Sequence, residues 1–400
     1  MYGAGNLRRS AACPGILVTG AWHYQRVVTI GNDSIPTAEF FAGIGLVAAA
    51  LEPRGFEVLW ANDINPTKCD IYLANRPHSI FNLVHDDIRS VCGDELPEVE
   101  LATASFPCID LSLAGNRRGL AGKHSGLLWE FTRVLEQMGG RRPRAVLLEN
   151  VIGFATSHGG RDLRGALECM TRLGYSSDVI TINARHFVPQ SRQRMFVVAV
   201  RGDLPKNAHL GVPPPSAVRP AWIRAIHESN NDLPMHYVEL PSLPEGPNDL
   251  GDVVELLDPA DARWWEHNRT KAFLESLQPI HRARLDELKA GAGISWRTAY
   301  RRTRQGTATW EIRPDAIAGC LRTTGGGSSK QALLQAGDGQ VRLRWMTPRE
   351  YGRLMGADGY KTDVRTNNQA LFGFGDAVVV DVIAWIADNY LLPTLRPAQR

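Results

Sequence analysis

Residues 38–45 read AEFFAGIG, a short apolar run followed by a turn with glycines at Gly43 and Gly45. The apolar run predicts a buried strand, and residues 46–51, LVAAAL, predict a helix that begins directly after the turn. Glycines at such a junction let the backbone approach a ligand closely. The segment therefore predicts the first strand, turn and helix of an α/β fold.

The alternation of strand and helix continues as far as residue 200. Short apolar segments at residues 58–61, 101–105, 145–148 and 194–200 predict further buried strands. Such alternation implies a mostly parallel sheet with helices on both faces. We expect residues 37–203 to form this domain, and we interpret residues 1–36 as a loose N-terminal extension that is disordered.

The composition changes after residue 203, where prolines become frequent between residues 205 and 247. A proline-rich composition is typical of a domain boundary with irregular connections. It predicts a smaller, irregular domain over residues 204–345. Residues 346–400 follow, with apolar side chains at helical spacing from Val379 to Tyr390. We expect that helix to pack back on the large domain.

Length, charge and cysteine usage restrict the class of protein. The 400 residues exceed what one hydrophobic core usually serves, the net charge is only +3, and no run looks long enough to span a bilayer. The six cysteines show no CxxC spacing, which argues against a zinc or redox site. Without a signal peptide, scattered cysteines favour reduced thiols. We therefore expect a cytoplasmic protein that uses no metal and does not enter a membrane.

Positive charge is concentrated in two segments. One contains Arg117, Arg118, Lys123 and His124, and the other contains Arg297, Arg301, Arg302 and Arg304. Such runs are most often solvated faces, and the alternative is a surface that contacts phosphates. The sequence alone leaves both interpretations open.

Acidic residues follow the glycine turn at spacings that suit a nucleoside ligand. Asp63 lies 20 residues after Gly43, at the end of the second predicted strand, where a carboxylate can accept hydrogen bonds from ribose hydroxyls. Asp87 precedes the next strand and is a candidate for an adenine amino group. The alternative is a tight turn with surface acids. Because the glycine spacing is too short for the dinucleotide fingerprint, it argues against NAD and leaves a mononucleoside ligand such as S-adenosylmethionine.

A candidate nucleophile follows the strand predicted at residues 101–105. Cys108 comes after Pro107 at the carboxyl end of that strand, where α/β proteins bind ligands. A free cysteine is more often a small buried hydrophobe, but Glu149 ends the next apolar strand, where a carboxylate has no packing role. Arg192 and Arg194 precede another strand and are placed to face the same crevice.

Six segments together resemble the ordered signature blocks of the cytosine-5 DNA methyltransferases of the bacterial type. The resemblance covers residues 38–200 and 317–392. Its blocks are residues 41–45 (FAGIG), 106–108 (FPC), 149–151 (ENV), 190–194 (QSRQR), 347–356 (TPREYGRLMG) and 374–378 (FGDAV).

The resemblance implies a Rossmann-like S-adenosylmethionine-dependent methyltransferase domain with a smaller, irregular target-recognition domain. In such an enzyme the Cys108 thiolate adds to carbon 6 of a flipped-out cytosine, which activates carbon 5. Glu149 would interact with ring N3 and the exocyclic amine, and Arg192 and Arg194 with the base oxygen, a phosphate or Glu149. The implied cofactor-binding residues are Phe41, Ala42, Gly43, Ile44, Gly45, Asp63, Ile64, Asp87, Ile88, Pro107, Asp376 and Ala377.

The resemblance also implies double-stranded DNA as the partner. Residues 322–327, RTTGGG, resemble the block that grips DNA, and the implied contacts are made by Arg322, Thr324, Gly326 and Gly327. The alternative for this segment is a plain flexible loop. We further expect a monomer, with a cognate restriction endonuclease as a partner encoded nearby.

Three positions depart from the family pattern. Ile109 replaces the glutamine that usually follows the catalytic cysteine, Ile64 replaces an aromatic residue that stacks on adenine, and Asp376 replaces an asparagine near the cofactor. Their consequences for catalysis and for cofactor geometry stay open.

Three other functions compete with DNA methylation. An RNA methyltransferase of this family would carry little recognition domain, so the long stretch between residues 205 and 344 favours duplex DNA. A silent S-adenosylmethionine-binding partner would be expected to lack Cys108 or Glu149, and both are present. A dinucleotide oxidoreductase is disfavoured by the glycine spacing.

Overall fold

The computed structural model describes residues 34–106, 126–304, 306–322, 330–362 and 366–396. Residues 1–33 of the expected N-terminal extension lie outside this part of the chain. Several predicted site residues also lie outside it, namely Pro107, Cys108, Thr324, Gly326 and Gly327, together with the departure at Ile109.

The described residues contain thirteen strands and twelve α-helical segments. The strands are β1 Ile35–Phe40, β2 Phe56–Asn62, β3 Leu83–Val84, β4 Leu101–Ala104, β5 Ala145–Val151, β6 Tyr175–Asn183, β7 Gln193–Arg201, β8 Ala208–Leu210, β9 His236–Val238, β10 Ser295–Arg304, β11 Thr307–Ile312, β12 Gln331–Gly337 and β13 Gln340–Trp345. The helices are α1 Leu46–Leu51, α2 Pro66–Asn75, α3 Leu127–Gln137, α4 Gly153–Thr156, α5 Arg161–Arg172, α6 Ala221–Ser229, α7 His267–Glu275, α8 Pro279–Ala290, α9 Pro348–Leu354, α10 Asn367–Asp376, α11 Val380–Ile386 and α12 Leu392–Leu395.

The main sheet has seven strands in the order β3-β2-β1-β4-β5-β7-β6. Strands β1, β2, β3, β4 and β5 are parallel, and the order of the strands reverses between β1 and β4. The crevice at the carboxyl ends of strands beside such a reversal is where open α/β sheets bind ligands. The strands predicted from the sequence in this region are confirmed, and so is the mostly parallel sheet.

Strand β7 runs antiparallel to both of its neighbours, β5 and β6. The short connection between β6 and β7 explains this direction, because antiparallel strands need no crossover helix. Strands β3 and β6 were not predicted from the sequence. The pairing places the start of β7 opposite the end of β5, with Arg194 opposite Val151.

Helices cover both faces of this sheet, as the sequence predicted. On one face, apolar side chains of α1 and α11 join a large buried cluster, which includes Leu51 and Val382. On the other face, α3 and α5 contribute Phe131 and Leu167 to a second cluster. The sheet is therefore buried between two apolar layers, and polar side chains on its strands need a specific role.

A second sheet lies within residues 204–345. It has four antiparallel strands in the order β11-β10-β12-β13, and its apolar side chains pack with Phe273 of α7 and Leu285 of α8. Earlier in the same region, α6 and β9 contact β6 of the main sheet. The boundaries of a target-recognition domain at residues 204 and 345 stay a prediction.

The C-terminal helices α10, α11 and α12 follow one another from Asn367 to Leu395, with a π-helical turn at Ala387–Leu391. By length and composition alone this stretch could cross a membrane, although the sequence suggested no such run, and 67% of its most apolar window is buried inside the fold. Val379, Val382 and Tyr390 belong to the core cluster that contains α1. Helix α11 therefore packs against α1 on this face of the main sheet.

Candidate functional site

The glycine turn after β1 has an unusual backbone that its residues fix in place. Phe41 has a φ of 55° and Gly45 a φ of 84°, and a bulky residue in the left-handed region is typical of strained ligand sites. A Cβ atom at Gly45 would lie 2.6 Å from Cδ2 of Tyr72. The backbone N–H of Gly43 donates to Oδ2 of Asp63 at 2.8 Å. The turn and the end of β2 therefore form one unit.

Asp63 follows β2, and its carboxylate already braces the local backbone. Besides accepting from Gly43, it accepts from the N–H of Asn65 through Oδ1 at 2.8 Å. Each carboxylate oxygen retains a lone pair for a further donor. The next residue, Ile64, is 61% exposed, so an apolar side chain stands open beside a carboxylate and a glycine turn.

Asp87 is less available than the sequence suggested. Its carboxylate caps a short 3₁₀ turn by accepting from the backbone N–H of Arg89, and it also pairs with the guanidinium of the same residue at 2.5 Å. These bonds lower the pKa of Asp87 below its ordinary value. The following residue, Ile88, is buried.

Asp376, where the family pattern has asparagine, has a basic partner in this chain. Oδ2 of Asp376 lies 2.7 Å from Nζ of Lys68 in α2. Lys68 also lies over the ring of Phe372, 5.4 Å from its centroid. The extra negative charge at the end of α10 is therefore balanced by a residue that the sequence analysis did not single out.

Glu149 lies near the end of β5, beside the end of β4. Because Ala104 pairs with Leu148 in the parallel register, Ser105 and Glu149 are the next residues along each strand. A hydrogen bond joins the Ser105 side chain to the Glu149 carboxyl group. Asn150 donates to the carbonyl of Phe106 at 3.4 Å. Residues 149 and 150 thus hold the segment that leads into Pro107.

Glu149 is buried, with only 8% of the residue exposed. Burial raises its pKa above the ordinary value, and the positive charges of Arg194 and Arg192 oppose this rise only in part. A carboxyl group whose pKa is raised keeps its proton to higher pH than an exposed glutamate does, which suits a group that gives a proton to a ring nitrogen.

The structure gives Arg194 and Arg192 different partners. Nε of Arg194 lies 3.0 Å from Oε1 of Glu149. Arg192 is buried, and its terminal nitrogens donate to main-chain carbonyls, at 2.8 Å to Leu321 and at 2.6 Å to Ala377. Glu149 was one of the partners predicted for both arginines, and it pairs with Arg194 alone. Arg192 instead links the start of β7 to the segments that contain Leu321 and Ala377.

Cys320 is a site residue that the sequence analysis missed. Its Sγ lies 3.4 Å from Nη1 of Arg192 and 3.7 Å from Nη2 of Arg194. Burial alone would raise the pKa of this thiol, but the two guanidinium groups lower it below its ordinary value. The sequence offered one indication of its role, which is its position two residues before Arg322. Its spacing, however, did not distinguish it from the other scattered cysteines.

Two glutamines hold the segment that carries Cys320. The side chain of Gln190 accepts from the N–H of Leu321 at 3.1 Å and donates to the carbonyl of Leu354 at 2.7 Å. From β12, Gln331 accepts from the N–H of Gly319 at 3.0 Å and donates to its carbonyl at 2.8 Å. This segment runs directly into Arg322, which is exposed.

A family model described as C-5 cytosine-specific DNA methylase matches residues 35–391. The chain belongs to this family. The signature blocks identified in the sequence thus stand within one continuous match, which also includes the second sheet and helices α10 and α11. The activity of the family is methylation of DNA at carbon 5 of cytosine.

Individual relatives agree with this membership. The type II methyltransferase M.PspPI of Psychrobacter sp. is 34% identical over 176 residues, which is 43% of this methylase and 41% of that protein. The type II methyltransferase M.Bsp6I of Bacillus sp. is 26% identical over 361 residues, 88% of this chain and 97% of the relative. The solved structure of the S. pombe Dnmt2 methyltransferase superimposes with a TM-score of 0.60 at 18% identity, covering 90% of this chain and 98% of the other, and supports the fold.

Membership of this family implies the use of S-adenosylmethionine, and the residues around the glycine turn fit such a molecule. Exposed Ile64 offers an apolar surface for a purine, and Asp63 retains acceptor capacity for hydroxyl groups. Within the described ranges, no cluster of histidine, cysteine and acidic side chains has the arrangement of a metal site.

Proposed function

We propose that this methylase transfers a methyl group from S-adenosylmethionine to carbon 5 of a cytosine in a specific double-stranded DNA sequence. The observation that carries this proposal is the buried Glu149 carboxyl group, paired with Arg194 at the end of β5. Through Ser105 it contacts the segment that leads to Cys108, three residues further along the chain.

The proposed reaction uses Cys108 as the nucleophile. Its thiolate forms a bond to carbon 6 of the cytosine ring, and the electron pair gained by the ring makes carbon 5 nucleophilic. S-adenosylmethionine supplies the methyl group that carbon 5 accepts. Loss of the carbon 5 proton then restores the double bond and expels the cysteine thiolate. Because carbon 6 is shielded in a stacked duplex, the base must be flipped out of the helix.

Glu149 would supply the proton that makes the first step possible. Addition of a thiolate places negative charge on the ring, and a protonated carboxyl group beside N3 neutralises that charge. The raised pKa of Glu149 supports this role, because an ordinary exposed glutamate would be ionised at neutral pH. Arg194 would keep the carboxyl group oriented through its 3.0 Å contact.

The glycine turn and its neighbours would hold the cofactor. We assign the ribose hydroxyls to Asp63 and one face of the adenine to Ile64, whose exposure supports this assignment. We assign the region of Asp376 and Ala377 to the opposite side of the cofactor, where the Lys68 partner keeps the site nearly neutral. Asp87 would have to share its carboxylate between Arg89 and the adenine amine.

The biological setting that we propose is restriction and modification. The relatives are described as type II methyltransferases, and on that basis we expect a cognate endonuclease, a monomeric methylase and a cytoplasmic location. The four-stranded sheet, which is additional to the catalytic sheet, supports duplex DNA over RNA as the substrate. Arg322 and the residues after it, Thr324, Gly326 and Gly327, are the proposed contacts to that DNA.

The test is methyl transfer from labelled S-adenosylmethionine to mixed DNA and RNA, followed by mapping of the modified cytosines. We expect label only on DNA, no transfer by Cys108→Ser, and normal transfer by Cys92→Ser as the matched control. DNA containing 5-fluorocytosine should trap a covalent adduct with the wild type, since its carbon 5 has no proton to lose. Full transfer by Cys108→Ser would refute the mechanism, and label on RNA alone would refute the substrate.

A further inference from the structure

The hairpin formed by β10 and β11 contains the arginine cluster whose role the sequence left open. Arg301, Arg302 and Arg304 are all exposed, whereas Arg297, nearer the start of β10, is partly buried and donates to the carbonyl of Trp296. Side chains alternate in direction along a strand, so Arg302 and Arg304 lie on one face of the hairpin and Arg301 lies on the other. The two faces have different surroundings.

One face of β10 points towards the segment that carries Cys320, and we call it the clamp face. It contains Trp296, Thr298, Tyr300, Arg302 and Arg304, which alternate along the strand. Oγ1 of Thr298 lies 3.4 Å from the backbone nitrogen of Gly319, in the segment held by the two glutamines. The clamp face then continues outward from that contact, by roughly 7 Å for every two residues.

On the outer part of the clamp face, a single carboxylate pairs with both arginines and offsets part of their positive charge. Glu311 in β11 lies opposite Tyr300 in the strand register, and it is therefore on the same face. Its Oε1 accepts from Nε of Arg304 at 2.8 Å, and its Oε2 lies 3.5 Å from Nε of Arg302. The guanidinium of Arg302 also lies over the ring of Tyr300, 4.8 Å from the centroid.

The exposure of these three side chains differs in an informative way. The Arg302 and Arg304 side chains are 44% and 55% exposed, but that of Glu311 is only 12% exposed. The arginines are thus free to change partners, whereas the carboxylate stays in place beneath them. Ion pairs whose guanidinium groups are this exposed are weak, so a competing anion is able to break them.

We propose that the outer clamp face, Tyr300, Arg302 and Arg304, binds DNA and that Glu311 is a specificity-determining residue that competes with DNA for the two arginines. This inference rests on the proposed function, because it requires duplex DNA as the substrate. The phosphates of a duplex of any sequence have to displace the Glu311 carboxylate from the two arginines. The displaced carboxylate then faces the negatively charged DNA. Every duplex therefore encounters an electrostatic penalty at this position.

A correct sequence is able to offset that penalty, because a freed carboxylate accepts a hydrogen bond from the N4 amino group of cytosine at a base edge. A phosphate offers no such donor. Glu311 would therefore weaken binding to unrelated DNA more than binding to the recognition sequence. Its charge would raise the ratio of the affinity for the recognition sequence to the affinity for unrelated DNA.

The experiment compares the wild type with Glu311→Gln, which keeps the size of the side chain and removes its charge. Dissociation constants are measured on a duplex with the mapped methylation site and on an unrelated duplex, at several salt concentrations. We expect Glu311→Gln to bind the unrelated duplex several-fold more tightly, with a log–log salt slope steeper by up to about 2, because two arginines become available to phosphates. The ratio of the two affinities should fall.

A matched control separates this local effect from a change in net charge. Glu168→Gln removes a carboxylate that also pairs with an arginine, Arg164, but on α5 of the main sheet. It should leave the salt slope unchanged. The double variant Arg302→Ala/Arg304→Ala should show a shallower slope than the wild type, and this tests the same surface without relying on Glu311.

The outcomes distinguish this inference from the proposed function. If the wild type methylates DNA but Glu311→Gln and the double variant both keep its salt slope, the hairpin does not bind DNA and the inference is wrong. If Glu168→Gln steepens the slope as much as Glu311→Gln does, the effect is one of net charge and the inference is also wrong. If the wild type neither binds nor methylates DNA, the proposed function fails and this inference fails with it.

Discussion

Nε of Arg194 lies 3.0 Å from Oε1 of Glu149, and the side chains are 16% and 10% exposed. The two residues come from β7 and β5, which pair in an antiparallel sense, whereas strands β1 to β5 are parallel to one another. The reversed direction of β7 is what brings its first residues to the carboxyl end of β5. The contact therefore depends on the direction of β7, which the alternation of strands and helices did not predict.

Loss of the Arg194 charge should move the pH dependence of methyl transfer. Arg194 lowers the pKa of Glu149 against the larger effect of burial, so Arg194→Gln should raise that pKa further. Because the protonated carboxyl group is the proposed active form, kcat is lost as pH rises through this pKa. The alkaline limb of the profile should therefore shift to higher pH in Arg194→Gln, even if the maximum is lower.

The control for this shift is Glu149→Gln, in which no carboxyl group titrates. Its kcat should fall by roughly 10² or more, as for loss of a general acid, and its residual activity should lack that alkaline limb. A limb that stays in place in Arg194→Gln, or persists in Glu149→Gln, would show that another group titrates.

Arg192→Ala should destabilise the fold more than it changes the chemistry of the base. The buried guanidinium donates to the carbonyl groups of Leu321 and Ala377, and its removal leaves Ala377 without this donor and Leu321 with only the 3.4 Å contact from the Cys320 thiol. We expect the free energy of unfolding in urea to fall by roughly 3 kcal/mol, since each buried unsatisfied group costs about 1–3 kcal/mol. Arg164→Ala, which removes exposed ion pairs on α5, should cost about 1 kcal/mol or less. Equal losses for the two variants would contradict the linking role of Arg192.

Gly45→Ala should weaken cofactor binding and stability, and Gly43→Ala is the matched comparison. Both glycines have positive φ, but a Cβ at Gly45 would lie 2.6 Å from Tyr72, whereas at Gly43 the nearest atom is 4.0 Å away. Gly43→Ala should therefore show only the backbone penalty of about 1 kcal/mol. Gly45→Ala should lose clearly more, measured by urea unfolding and by the dissociation constant of S-adenosylhomocysteine. If the two variants behave alike, the packing against Tyr72 does not fix the turn.

The sequence was informative where one local signal was sufficient. The turn at residues 41–45, five strands of the main sheet (β1, β2, β4, β5 and β7) and Glu149 near the end of β5 followed from apolar runs that stop at glycines or at an isolated carboxylate. These features depend on residues that are close together in the chain. The pattern of apolar residues that produces them is therefore visible in a single sequence.

Long-range partners could not be predicted in this way. Lys68 compensates the charge of Asp376 across 308 residues, and Cys320 meets Arg192 across 128 residues. In each case one partner looks like an ordinary surface or core residue, and only the fold reveals its role. The four-stranded sheet was missed for a related reason, because β10 carries arginines at positions of both faces and shows no clear alternation.

Glu39→Gln should change how the stability of this methylase depends on pH. Glu39 is the residue before the last in β1. Burial raises its pKa from 4.5 to about 8, and the Tyr72 hydroxyl donates to its carboxyl group at 3.4 Å. The folded state therefore holds a proton that the unfolded chain releases above pH 4.5. The stability that this proton contributes is complete below pH 4.5 and is lost as pH rises towards 8.

Glutamine keeps the shape of the side chain and cannot ionise, so the variant should lose less stability than the wild type between pH 5 and 8. Urea unfolding at pH 5, 6.5 and 8 checks this. Parallel curves for the two proteins would mean that Glu39 is already ionised in the folded state at pH 5.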